Sequence, residues 1–306
     1  MEQESNKKMQ RIQIDLNCDM GEWTTAPASV GGGAGAVPEG GDRTGAGANS
    51  LSAGLQASDR AIMPWISSAS IACGGHAGDA VSIQQTVSLA IRCGVGIGAH
   101  PGYPDPGGFG RQVMAMTPAA LRASLLEQIR AVQSAAAARG APLRHVKPHG
   151  ALYNQAASDP VLASLVAGVV HEAGPKLVLF GLPGSCLEQA AKEAGLAFAC
   201  EVFADRGYRD DGSLVPRGLP GALLHDTKEM IERVLVMATE GWVKSVTGRR
   251  VPVRTDTVCI HGDNPAAPGF VRALAARLQQ AGIRVRPFGD GNEGMVPDAG
   301  TQTPGS

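Results

Sequence analysis

The sequence predicts an α/β fold: a (β/α) barrel of the TIM type, in which an irregular or seven-stranded form is admitted. Three observations carry this. Short apolar runs alternate with helical segments along the chain, which implies right-handed βαβ units and a mainly parallel sheet. The 306 residues suit a single barrel of roughly 250 residues with additions. Apolar residues make up 43% and aromatics only 4%, an Ala/Gly/Val/Leu-rich balance that fits helices packed on strands. Eight units suit closure better than an open parallel sheet, although the alternation alone allows both.

The elements follow in order. IQIDL at 12–16 is the first strand, and it runs into NCDMGE, with Asn17, Asp19 and Glu22. ASIAC at 69–73 leads to His76 and Asp79, and a helix over 79–92 follows. Asp79 stands just ahead of that helix, where an N-cap is as good a reading as a site residue. VGIGA at 95–99 leads to GAHPGYPDPGGFGR, with His100, Tyr103, Asp105 and Arg111. Thr117 caps the next helix, with Pro118 at its first position and Gly140 beyond its end. LRHVK at 143–147 turns into VKPHGALYN, with Lys147, His149, Tyr153 and Asn154. Ser158 or Asp159, with Pro160, opens a helix that stops at Gly174. LVLFG at 177–181 precedes a helix over 185–194. AFACEVF at 197–203 leads to Asp205, Arg206 and Arg217. A helix over 226–240 precedes TVCIH at 257–261, which brings His261, Asp263 and Asn264. A helix over 266–281 and IRVRP at 283–287 complete the series.

Two segments fall outside this pattern. Residues 24–58 are rich in Gly, Ala and Ser and poor in large apolar residues, so they read as a flexible insertion, with a lid over the site as the alternative. Residues 289–306 read as a disordered tail by the same logic. The chain is thus expected to be one domain, 1–306, with the barrel over 11–288.

Every polar cluster sits at the carboxyl end of its strand. In a parallel α/β architecture those ends face one way, so the clusters converge on one surface. Any one strand-end Asp or His is more simply a cap or a loop hydrogen-bonder, and six clusters together are what point to a site. Four of the seven histidines, His76, His100, His149 and His261, lie in these clusters, whereas His145, His171 and His225 read as structural or surface. Imidazoles move protons near neutral pH, carboxylates beside them hold the tautomer, and Lys147 and Arg206 offer positive charge to an oxyanion, carboxylate or phosphate.

Other function classes are disfavoured. Lys plus Arg (27) nearly balance Asp plus Glu (28), and apart from the scattered KSVTGRRVPVR stretch no basic run exceeds a pair, so no nucleic-acid footprint is expected. The six cysteines form no CxxC spacing and mostly sit in apolar runs, which implies a reducing compartment. The N-terminus MEQESNKKMQR lacks a signal-peptide core, and no run approaches the ~18 apolar residues of a membrane span, so a cytoplasmic protein is expected. GxxxxGK[ST] is absent, and GGGAGAVPEG at 31–40 does not stand between a strand and a helix, so no phosphate loop is present. His with Asp could ligate zinc or manganese, but HExxH and other local ligand motifs are missing.

IDLNCDMGE, IACGGHAGD, GAHPGYPDPGGFGR, VKPHGALYN, EVFADRGYRDDGSLVPR and CIHGDNP together resemble the LamB/YcsF (lactam-utilisation) family over residues 12–288. The resemblance departs at 24–58 and at Gly75, where an aromatic residue is usual. It implies a barrel related to the polysaccharide-deacetylase-like superfamily and the ATP-dependent opening of 5-oxo-L-proline to L-glutamate by a 5-oxoprolinase. ATP, with Mg2+, would be co-substrate, and 5-oxoprolinase subunits B and C would be partners that share nucleotide binding. Related deacetylases carry two adjacent aspartates after the first strand, one of them a metal ligand. Here Met20 follows Asp19, so metal-free chemistry without a tightly bound cofactor is expected.

On this reading Asp19 is the general base, Lys147 and His149 stabilise an oxyanion or phosphate, and His76, His100 or His261 protonates the departing nitrogen. Asp205 and Asp263 complete the catalytic set. Asn17, Glu22, Tyr103, Arg111, Asn154, Arg206 and Arg217 are expected to bind substrate, with Arg206 on its carboxylate. Two alternatives stay open: a stand-alone metal-dependent deacetylase or amidohydrolase, and a non-catalytic lactam-binding subunit.

Overall fold

The computed structural model describes residues 12–25, 45–262 and 266–289. Its strands are β1 Gln13–Met20, β2 Ser68–Ala72, β3 Gly96–His100, β4 Leu143–Val146, β5 Val178–Gly181, β6 Ala197–Phe203, β7 Trp242–Lys244, β8 Arg250–Pro252, β9 Thr257–Ile260 and β10 Arg284–Val285. The helices are α1 Gly45–Ile62, α2 Ala80–Cys93, α3 Pro118–Ala137, α4 Gly150–Ser158, α5 Pro160–Ala173, α6 Cys186–Glu193, α7 Thr227–Glu240 and α8 Ala267–Gln280.

Seven parallel strands close a barrel in the order β1-β2-β3-β4-β5-β6-β9, and β9 pairs back onto β1. The eighth expected strand, β10, is two residues long and pairs only with Gln13 and Ile14 at the amino end of β1. From Asp15 to Cys18 the same edge belongs to β9, so β10 wedges into the bottom of the seam without entering the closed ring. The stretch between β6 and β9 also holds the antiparallel pair β7–β8, where the sequence shows only a loosely basic run.

The helix ends obey local chemistry. Thr117 Oγ1 accepts from Ala120 N with Pro118 at the first position of α3, and Asp159 caps α5 by accepting from Val161 N and Leu162 N. Asp79 caps α2, where it accepts from Val81 N and Ser82 N while Ser82 Oγ takes the Asp79 N–H. That settles its role as a cap. Helix α4, GALYNQAAS, starts directly at His149, and its short run merges with the polar cluster in the sequence.

Residues 45–58 correct the expectation of a flexible insertion over 24–58, because they form the first part of α1. Ala and Ser are compatible with a helix, and its last turn buries Asp59 and Ile62 against the barrel, followed by Met63 in the next turn. Residues 26–44 of that segment, and 290–306 of the expected tail, lie outside the described residues.

Residues of β1 alternate between two environments, as the two-residue period of a strand requires. Leu16, Cys18 and Met20 pack in the hydrophobic core toward the helices. Asp15, Asn17 and Asp19 point into the barrel and meet side chains from across it. Gly98 of β3 stands opposite His145 of β4, and a β-carbon there would sit 2.0 Å from His145 Nε2. The His145 ring fills that space, stacks on Phe180 with centroids 4.2 Å apart and bonds to Ser70 Oγ at 3.1 Å. It is structural, as expected.

Candidate active site

The VKPHG segment continues the barrel edge. Lys147 N donates to Ala99 O at 2.9 Å and His149 N to Pro101 O at 2.8 Å, while Pro148 between them has no N–H to place. This extended pinning sends the Lys147 side chain inward. Nζ donates to Asn17 Oδ1 at 2.9 Å and to Glu201 Oε1 at 3.1 Å, and it contacts Asp19 Oδ1 at 2.5 Å.

Below it the network continues toward the barrel floor. Asn17 Nδ2 donates to Glu201 Oε1 and to Thr257 Oγ1, and Thr257 Oγ1 donates to Asp15 Oδ2 at 2.6 Å. Burial pushes the Asp15 carboxyl up to about 6 against the hydroxyls of Ser67, Thr257 and Ser68. Burial also opposes charge on Lys147 and Asp19. For Lys147 the carboxylates of Asp19 and Glu201 outweigh it and hold the ammonium well above its ordinary range. For Asp19 the neighbouring His100 and Lys147 outweigh it and hold the carboxyl well below its own. Both stay charged across the neutral range.

Three histidines form one wall. His76 and His149 stack face to face with centroids 3.5 Å apart, and His100 meets both edge-on. His76 Nε2 lies 3.2 Å from Glu22 Oε1. Burial and the neighbouring imidazoles push His76 and His149 well below the usual histidine range, so both are neutral. Burial, with Asp19 nearby, raises the Glu22 carboxyl. Gly110 lets the 101–111 loop close over this wall. Its φ is +60°, and a β-carbon there would lie 2.7 Å from His76 Cβ and 2.9 Å from His149 Cδ2.

Opposite stands His261, whose Nδ1 lies 2.9 Å from Asp205 Oδ2. Burial alone would lower its proton affinity, but the Asp205 carboxylate outweighs burial and raises it. Conversely, burial would raise Asp205, and His261 lowers it.

These groups surround a cavity of ≈ 380 Å³. Asp19, Glu22, His100, Lys147, His149 and His261 line it, together with Arg111, Asn154, Arg206 and Arg217. Asn17, His76 and Asp205 stand one layer behind, each bonded to a lining side chain. Asn17 therefore supports Lys147 and is not placed to touch a ligand. Tyr103, expected to bind substrate, is buried away from the cavity with its hydroxyl donating to Gln155 Oε1. Arg206, expected on a substrate carboxylate, spends Nε on Ala222 O and Nη2 on Val215 O, and so pins the 205–222 loop. Asp263 lies outside the described residues.

Among the lining residues that a reading of the sequence alone does not single out are Glu201, Phe109 and Phe203. Glu201 carries a usable signal, a lone carboxylate in the apolar strand AFACEVF. Glu201 Oε2 and the Tyr153 hydroxyl are buried without a well-formed hydrogen bond and belong to residues that line the cavity. Burial and the nearby Glu201 carboxylate push the Tyr153 phenol well above its ordinary range.

Comparison with known proteins adds the lineage. A model of the LamB/YcsF family matches residues 46–293. The chain is 49% identical over 225 residues to the A subunit of 5-oxoprolinase from Geobacillus thermodenitrificans, covering 74% of this chain and 88% of that protein. It is 44% identical over 274 residues to the A subunit of 5-oxoprolinase from Tolumonas auensis, covering 90% of this chain and 98% of that one. Among solved structures, the lactam utilization protein from Thermus thermophilus superposes with a TM-score of 0.76 at 41% identity, over 90% of this chain and 100% of that chain.

Proposed function

Because the chain belongs to the LamB/YcsF family, we propose that it is the A subunit of an ATP-dependent 5-oxoprolinase, a cytoplasmic hydrolase that opens the cyclic amide 5-oxo-L-proline to L-glutamate. Its relatives are named as one subunit of an enzyme, so that enzyme has further chains; on this reading they are subunits B and C, which bring ATP as its magnesium complex. The missing phosphate loop fits that division of labour.

A five-membered lactam is a stabilised amide. Phosphoryl transfer from ATP to its oxygen makes the carbonyl carbon electrophilic, and water then attacks. Asp19 takes the proton from that water. Held low by Lys147, it is a weak base at rest, but Lys147 leaves it for the anionic phosphate carried on the former carbonyl oxygen. That exchange raises the proton affinity of Asp19 at the step that needs it. His261, kept protonated by Asp205, gives its proton to the ring nitrogen as the C–N bond breaks, and a second water then cleaves the resulting γ-glutamyl phosphate to L-glutamate and inorganic phosphate. Of the three histidines expected in that role it is the one that fits, since His76 stands behind the cavity wall and the N–H of His100 is spent on Lys147 O. The same holds for His149 as an oxyanion donor, so that role falls to Lys147 alone. Arg217 and Arg111 replace Arg206 as the groups for the substrate carboxylate.

The observation that carries this reading is the Asp19–Lys147 contact opening on the same cavity as the Asp205–His261 pair. The test is ATP-dependent glutamate formation from 5-oxoproline by this chain alone and after mixing with subunits B and C. Turnover in the mixture alone supports the proposal, and none in either sinks it.

A further inference from the structure

Two imidazole nitrogens face each other across the histidine wall with nothing to reconcile them. His100 Nδ1 lies 2.7 Å from Lys147 O, and His149 Nε2 lies 2.9 Å from Phe109 O. A carbonyl only accepts, so each of these nitrogens carries its ring's proton. When both rings are neutral the remaining nitrogens, His100 Nε2 and His149 Nδ1, are bare lone pairs, and they lie 2.9 Å apart. Two acceptors at that distance repel unless something positive lies between or beside them.

Anionic oxygen surrounds the same point. Glu22 Oε1 is 3.7 Å from His149 Nδ1, and Asp19 Oδ2 is 3.4 Å from His100 Nε2. Glu22, His100 and His149 all line the cavity. The Glu22 oxygen is itself held by His76 Nε2 at 3.2 Å. Anchoring of ligand imidazoles by backbone carbonyls, and of a ligand carboxylate by a further hydrogen bond, is the outer support that metal sites use.

We propose that Glu22, His100 and His149 bind a divalent transition-metal ion through Oε1, Nε2 and Nδ1, with His76 as a positioning residue behind Glu22. Two imidazole nitrogens and one carboxylate oxygen are a donor set that suits Mn2+, Fe2+, Co2+ or Zn2+. Two imidazoles and one carboxylate on one side leave the other positions open to the cavity, where an ion can polarise a carbonyl or a bound water. This departs from the expectation of a metal-free site drawn from Met20, because the donors come from Glu22 and two distant histidines and not from a residue adjacent to Asp19.

The test needs no turnover. Chelator-stripped full-length protein is titrated with Mn2+ and with Co2+ by calorimetry, and the visible absorption of the Co2+ form is recorded. One ion per chain and a cobalt ligand-field spectrum that needs both imidazoles are expected. His149→Gln and His100→Gln should each weaken binding at least 100-fold, and His76→Gln about 10–100-fold, with unchanged circular dichroism showing that the variants fold. No binding by the folded wild-type chain, or binding that survives His149→Gln, overturns the proposal. A proton shared by His100 and His149, seen by NMR in the first of those cases, would then explain their approach. Binding is read without ATP, 5-oxoproline or partner subunits, so its failure leaves the oxoprolinase reading standing.

Discussion

Lys147 Nζ lies 2.5 Å from Asp19 Oδ1, and the two side chains come from β1 and the end of β4, strands that are not neighbours in the barrel. The contact therefore crosses the interior, where Glu201 Oε1 is the ammonium's second anionic partner at 3.1 Å. Removing the cation leaves buried carboxylates facing one another. Lys147→Met should cost about 3–5 kcal/mol of unfolding free energy, measured by denaturant titration. Adding Glu201→Gln should recover part of that loss, and a double variant no more stable than the single one would refute the pairing.

Asp19 is tested most directly through rate. Asp19→Asn keeps size and one acceptor oxygen but cannot take a proton. In the assembled enzyme it should lower kcat by about 10²–10⁴-fold with substrate binding little changed. Near-normal turnover would remove it from the role of base.

His261 makes the pH profile informative. Asp205 raises its proton affinity, so the protonated acid persists above the ordinary histidine range and the rate falls only as pH rises through that raised value. Asp205→Asn should move the basic limb of kcat to lower pH, toward the unperturbed value of about 6.5. The same pair contributes stability between two limits: it is lost as pH rises through the raised His261 value and as pH falls through the lowered Asp205 value. A basic limb that Asp205→Asn leaves in place would assign the acid elsewhere.

Asp59 gives a stability test with the opposite origin. Its carboxylate accepts from Gly21 N at 2.9 Å and Trp23 Nε1 at 3.0 Å, yet burial pushes its pKa up from 3.8 to about 7. The folded state thus holds this proton more tightly than the unfolded chain does. Its contribution to stability is greatest below pH 3.8 and is lost as pH rises to about 7. Asp59→Asn should flatten that slope in denaturant unfolding between about pH 5 and 7.5, and an unaltered slope would refute the shift.

Gly98 and His145 form a steric pair. Gly98→Ala sets a methyl group against the His145 ring and should cost about 1–3 kcal/mol. In a His145→Ala background the same change should cost markedly less, which a double-mutant cycle of thermal unfolding will read.

Much of the fold and the site is legible in the sequence, for identifiable reasons. Strand runs such as ASIAC and TVCIH are buried on both faces, and helix starts such as Thr117-Pro118 carry their own caps, so periodicity and capping find them. The strand-end rule likewise places Asp19, Lys147, His149 and His261 around one cavity. What it cannot supply is direction within a loop. Tyr103 and Arg206 lie in the right segments but turn inward to Gln155 and to backbone carbonyls, which depends on tertiary packing alone. Helix α1 is hidden because a run of small residues reads alike as linker and as helix until a partner surface is known. The departure at Gly75 also has an explanation only in three dimensions. The Gln128 side chain occupies the place of a side chain there, 2.3 Å from where a β-carbon would sit, and bonds to Gly102 through both its oxygen and its nitrogen.

Helix α1 ties together two rims that the chain reaches far apart in sequence. Asp59 holds the turn after β1, and the neighbouring Ser58 Oγ donates to Gly262 O after β9 at 2.9 Å. Strand β1 is moreover gripped along its length by β2, β9 and β10. A backbone cut between residues 26 and 44 is then expected to leave these contacts in place. A protein cut there by a protease recognising an inserted site should keep its short amino-terminal fragment through purification, and the two pieces expressed separately should reassemble. Asp19 and Glu22 would arrive on one polypeptide, Lys147 and the histidines on the other.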